Sequence, residues 1–188
     1  MNQWKFYDIE KDHWIYIFLL SSILILMESL QSYSFKVFGV SLSFRLFLFP
    51  FIYLTLSYLL KKIKIRKCFV AILISSLSFL FFHFITSYII QSPIDFKYII
   101  GEILGYGFSE VIFLMIYHFL IHNTKIDLFV IYLNYLFSFV IYYLFYTLIF
   151  LDFVLFEDFW ITYFFTIIIQ AILCIPITIF DSSIKRGI

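Results

Sequence analysis

The sequence predicts an all-α polytopic membrane protein: a bundle of six transmembrane helices with both termini in the cytoplasm. Three observations carry this expectation. Hydrophobic residues make up 64% of the 188 positions and only 13% are charged, against about half apolar and a quarter charged in a soluble domain. Mean hydropathy is +1.04. The apolar residues fall into six runs of roughly 20, the length needed to cross a bilayer core at 1.5 Å per residue.

The runs are Trp14–Tyr33, Leu42–Leu60, Cys68–Ile90, Tyr98–Ile121, Leu128–Leu151 and Phe159–Phe180. Short polar breaks separate them: SFKVFGVS, KKIKIRK, QSPIDFK, HNTKID and DFVLFED. None is long enough for a soluble domain, so residues 1–188 are expected to form a single integral membrane domain. A dozen mixed polar residues precede the first run with no A-x-A-like site after it, which predicts that no signal peptide is removed.

Orientation follows from cationic residues in short loops. The break KKIKIRK holds Lys61, Lys62, Lys64, Arg66 and Lys67, and six spans then place Lys5, Lys11, Lys125, Lys185 and Arg186 on its side. Lys36 and Lys97 fall opposite, so ten cations face two across the membrane. That asymmetry sets an N-in/C-in topology in the cell (inner or plasma) membrane. It also accounts for the basic break without a nucleic-acid partner.

Composition alone assigns no site. The 28 Phe and 15 Tyr suit lipid-facing helix surfaces. Cys68 and Cys174 lack C-x-x-C spacing and read as packing residues. His118 and His122, four apart, have metal-like spacing but no third ligand with matching logic, so no metal is expected. Nucleotide-loop, serine-hydrolase and zinc-protease motifs are absent, and neither enzyme activity nor a cofactor is expected.

Ionisable residues inside the spans are more informative, because such residues are costly in a bilayer and mark functional positions. Glu28, Arg45 and Glu102 all lie roughly 6–8 Å from the outer ends of their spans, counted at 1.5 Å per residue. Arg45 is therefore expected to pair with Glu102 or Glu28, against the alternatives of a purely structural pair or a side chain snorkelling to the headgroups. Glu110 lies about 20 Å down, too deep to snorkel. On the fourth span Gly101, Gly105 and Ser109 form a small-residue stripe for close helix packing. Glu102, Tyr106 and Glu110 form the neighbouring ridge.

The segment VFGVSLSFRLFLFPFIYLTLSYLLKK, with its F-P-F-I-Y-L stretch at residues 49–54, resembles the VUT family of queuosine-precursor transporters. Further similar segments follow in the family's order: YGFSEVIFLMIYHFL, NYLFSFVIYYLFYTLIF and YFFTIIIQAILCIPITIF. The resemblance covers about residues 28 to 186. It departs from the family pattern at Ser57, where an acidic residue is usual, at Tyr146–Thr147 in place of an Asp-Thr pair, and at Thr166 in place of a lysine. Glu28 stands where Asn is common, and Glu110 where Gln or Glu occurs.

The resemblance implies secondary transport of a 7-deazaguanine compound used in tRNA modification. A carboxylate such as Glu110 can accept two hydrogen bonds from a guanine-like edge, and Tyr106 can stack on its face. Glu102, Glu28 and Arg45 would complete the substrate-binding set, and Pro50 would interrupt its span to expose backbone groups. The expected partners are the lipid bilayer, a small flat aromatic substrate and, in a homo-oligomer, copies of the chain itself. Two other classes compete. A substrate-binding subunit of a vitamin-uptake transporter would dock its ATPase module through small residues, and this chain has two alanines, Ala71 and Ala171. A structural or assembly membrane protein would not need Glu110 at depth.

Overall fold

The computed structural model describes residues 11–30, 33–37, 39–91, 93–94, 96–121, 128–150 and 156–185. Lys5, His122, Lys125, residues 151–155 and Arg186 lie outside the described residues. The described residues include six α-helices: α1 (Lys11–Leu30), α2 (Phe49–Lys62), α3 (Ile65–Ile90), α4 (Phe96–Ile121), α5 (Leu128–Phe150) and α6 (Phe156–Lys185). Five carry stretches long and apolar enough to cross a membrane, and α1 has a shorter one, Trp14–Leu30. The chain is an all-α, multi-pass membrane protein.

Helix α2 is the central strut, touching each of the other five helices. Its side chains Phe49, Ile52, Tyr53, Leu56, Ser57 and Leu59 are buried. By contrast α3 and α6 present Leu73, Leu77, Phe81, Phe164 and Ile172 outward. Long apolar side chains on the outside are what a bilayer solvates, since lipid tails impose no penalty on them. The α4–α5 contact is close: a Cβ at Gly105 would sit 3.1 Å from the Tyr142 ring and 3.2 Å from its carbonyl. The small-residue stripe thus does what its spacing predicts.

The second span starts differently from the expected continuous helix over 42–60. Ser34–Val37 (β1) and Val40–Ser43 (β2) pair as an antiparallel hairpin, with Val37 opposite Val40. Gly39 sits at φ +86°, a conformation that favours glycine in a tight hairpin turn. The alternation in VSLS, with Leu42 buried and Ser41 exposed, is a strand period rather than a helical one. A 3-10 turn over Phe44–Phe47 follows, capped by the Ser43 hydroxyl on the Arg45 amide at 3.4 Å.

Pro50 also departs from expectation. It occupies the first turn of α2, where no intrahelical donor is lost, so it opens a helix and interrupts none. The proline inside a helix is Pro176 of α6, where the missing N–H leaves a carbonyl one turn earlier without its helical donor.

Candidate functional site

Two closed polar clusters lie near opposite ends of the bundle, with an unpartnered carboxylate between them. In the cluster at the hairpin end, outer in the expected topology, the 3-10 turn turns Arg45 inward, and its Nη1 donates to Glu102 Oε1 at 2.5 Å. The Tyr142 hydroxyl of α5 donates to the other Glu102 oxygen at 2.8 Å. The guanidinium lies 5.0 Å above the Tyr146 ring, a cation–π contact. Glu102 is 1% exposed and Arg45 9%. Of the two expected partners, Arg45 takes Glu102.

Glu28 has its own partners. His83 Nδ1 of α3 is 3.0 Å from its Oε1, and the Tyr98 hydroxyl of α4 donates to its Oε2 at 2.5 Å. The Tyr98 ring meets Tyr146 edge-on at 6.3 Å, so the Glu28 and Arg45–Glu102 groups adjoin through two tyrosines. The three charges expected at one level do share it, as two neighbouring sets rather than one.

Tyr106 lies on the same face of α4 as Glu102, one turn further along. Its ring stacks with Phe49 at 5.7 Å and tilts against Tyr142 at 4.7 Å. The aromatic surface expected to receive a ligand is therefore covered by the protein's own rings in this conformation. A turn deeper, Glu110 is wholly buried, and neither carboxylate oxygen has a hydrogen-bond partner. The Tyr53 hydroxyl of α2 is likewise buried and makes no hydrogen bond of standard geometry, with Ser109, Glu110 and Cys174 among the groups that act on it. The Ser109 hydroxyl beside Glu110 is committed to the Tyr106 carbonyl at 2.9 Å.

The cluster at the other end of the bundle, inner in the expected topology, has no counterpart among the sequence-based expectations. Asp181 of α6 is fully buried and gathers four donors. Lys61 Nζ lies 2.6 Å from Oδ1 and the Ser57 hydroxyl donates to the same oxygen at 2.9 Å. Tyr117 and Tyr135 donate to Oδ2 at 2.7 and 3.2 Å. The sixth apolar run ends at Phe180, which assigned Asp181 to the loop beyond it. Helix α6 continues to Lys185 and brings the carboxylate inside. The signal available was Asp181 four residues before Lys185, with Ser57 and Lys61 one turn apart on α2.

Comparisons with family models, curated proteins and solved structures return no match.

Proposed function

We propose that this chain is a secondary transporter that carries a small, flat, guanine-like metabolite across the cell membrane, a 7-deazaguanine precursor of queuosine. The observation that carries the reading is Glu110. A buried polar group without a partner costs about 1–3 kcal/mol, more when charged, and native structures rarely retain one without a use. A carboxyl group in the middle of the bundle, with the Tyr53 hydroxyl nearby also making no hydrogen bond of standard geometry, offers the hydrogen-bonding set that a guanine edge would fill. The aromatic lining from Phe49, Tyr106 and Tyr142 supplies faces for stacking.

The flanking clusters fit the same reading as two gates. Arg45–Glu102–Tyr142 closes the outer side, and Lys61–Asp181–Tyr117–Tyr135 the inner side. The α2 strut takes part in both: Arg45 sits in the turn that feeds it, and Ser57 and Lys61 lie near its far end. Tilting α2 against its neighbours would open one cluster as it tightens the other, the rocking expected of alternating access. The resemblance to queuosine-precursor transporters supplies the substrate class. Where that family has an acidic residue this chain has Ser57, and Asp181 from α6 places a carboxylate against it at 2.9 Å.

The test uses cells unable to make or import the precursor, supplied with it externally, and reads queuosine in tRNA. Expression of this chain should restore the modification. Glu110→Gln, which turns one acceptor oxygen into a donor, should not restore it at equal protein level, whereas Ile112→Leu should. Failure of the wild type to restore any queuosine refutes the substrate, and full activity of Glu110→Gln refutes the role of the carboxylate.

A further inference from the structure

The tight connection between α2 and α3 holds a feature that neither the bundle nor the transport reading uses. The two helices are joined by Ile63 and Lys64 alone. Ile63 is buried and anchors the turn inward, leaving Lys62, Lys64 and Arg66 exposed around it. These cations, with Lys61 and His118 of α4, line an open pocket of about 600 Å³. Leu60, Ile63 and Ile65 add apolar surface to its lining.

Charge balance sets this cavity apart from a topogenic loop, which needs net positive charge but no geometry. Lys61, one residue away, is neutralised by Asp181. Among the described residues, Lys62, Lys64 and Arg66 have no carboxylate partner. Lys64 is also the N-cap of the 26-residue α3, and no side chain caps that helix end. Uncompensated cations, an uncapped helix N-terminus and an open pocket of ligand size together describe an anion receptor. Apolar lining at the end of two membrane spans suits an anion attached to a glycerol or acyl chain.

We propose that this cavity binds a phosphoryl group, as presented by the headgroup of an acidic phospholipid in the adjacent leaflet or by soluble phosphate. Basic pockets at the cytoplasmic ends of spans hold acidic headgroups by charge and by hydrogen bonds to phosphate oxygens. Each cation near an anionic surface contributes a factor of about five in affinity, so losing three lowers it roughly 100-fold.

The experiment measures thermal stabilisation of the full-length protein in neutral detergent micelles. One arm adds phosphatidylglycerol, a second phosphatidylcholine, and a third inorganic phosphate without lipid. Native mass spectrometry counts the phosphatidylglycerol retained. Wild type should be stabilised by phosphatidylglycerol and not by phosphatidylcholine, retaining one lipid. Stabilisation by inorganic phosphate as well assigns the site to the phosphoryl group itself, and stabilisation by the lipid alone assigns it to the headgroup. The triple variant Lys62→Gln/Lys64→Gln/Arg66→Gln should fold with unchanged stability in neutral micelles and lose both effects. Lys36→Gln, in the hairpin at the other end, should keep them. Equal stabilisation of wild type and the triple variant, or no response of wild type to either phosphoryl probe, overturns the proposal.

Discussion

Replacing Arg45 by methionine removes one half of a buried ion pair and leaves the other half in place. The charged atoms approach to 2.5 Å. For unit charges centred about 4 Å apart, an effective dielectric of about 20 gives about 4 kcal/mol of attraction. In Arg45→Met the Glu102 carboxylate keeps only the Tyr142 hydroxyl, which does not offset a buried charge, and the expected loss of stability is about 3–5 kcal/mol. Glu102→Gln leaves the guanidinium with the Tyr146 ring, a contact worth about 0.5–2 kcal/mol, and should cost a similar amount. The double variant should be more stable than the sum of its singles predicts, by several kcal/mol, because no unpaired charge survives. The assay is a double-mutant cycle by reversible unfolding in mixed micelles. The same cycle with Glu28→Gln should show a much smaller coupling, since Glu28 is held by His83 and Tyr98. Additivity of Arg45→Met and Glu102→Gln, or a larger coupling to Glu28, refutes the pairing.

At the inner end, Asp181→Asn should destabilise by about 2–4 kcal/mol, because Lys61 loses its counter-charge and one of four converging donors meets an amide N–H. Adding Lys61→Met should recover part of the loss, and unchanged unfolding of Asp181→Asn would show that the cluster is not formed. Gly105→Leu should cost about 1–3 kcal/mol by overpacking against Tyr142. Gly107→Leu, where a Cβ meets nothing within 4 Å, should leave unfolding within about 0.5 kcal/mol of wild type.

The legible parts of the molecule were those governed by length, period and charge. Apolar runs of about 20 residues located the six helices, since backbone groups in lipid must be paired within each segment. The Gly105–Ser109 stripe and the Glu102–Tyr106–Glu110 ridge both face inward, as a spacing of four requires. Counting depth along helices brought Arg45 to the level of Glu102. Hydropathy could not separate the hairpin from a helix, because Val40–Ser43 is apolar enough for either, and only its period of two and Gly39 distinguish them. Asp181 was missed because an apolar run ends at the first charge, whereas a helix ends where its backbone pairing does. A carboxylate met by four donors is tolerated inside, and those donors come from three helices that the sequence cannot bring together. Pro50 illustrates the converse, since the same residue that breaks a helix interior starts one when it falls in the first turn.

The polar groups also set an energetic limit on the proposed transport cycle. Separating the Arg45–Glu102 pair forfeits about 4 kcal/mol of attraction, which rehydration of the two charges partly offsets, and opening the Lys61–Asp181 cluster forfeits a comparable amount. At that upper limit a bundle with both clusters shut populates either open form at about one part in a thousand, and a form with both open at about one in a million. A ligand shifts such an equilibrium only by its differential affinity for the open form. Glu110 brings two carboxyl oxygens without a hydrogen-bond partner, and a hydrogen bond in which one of the two groups is charged contributes about 1.5–3 kcal/mol. Two of them supply about 3–6 kcal/mol, a range that brackets the roughly 4 kcal/mol of one cluster and falls short of the roughly 8 kcal/mol needed for both. In the proposed cycle, binding at Glu110 would then open one side at a time without opening a continuous path, which is the condition a carrier must meet.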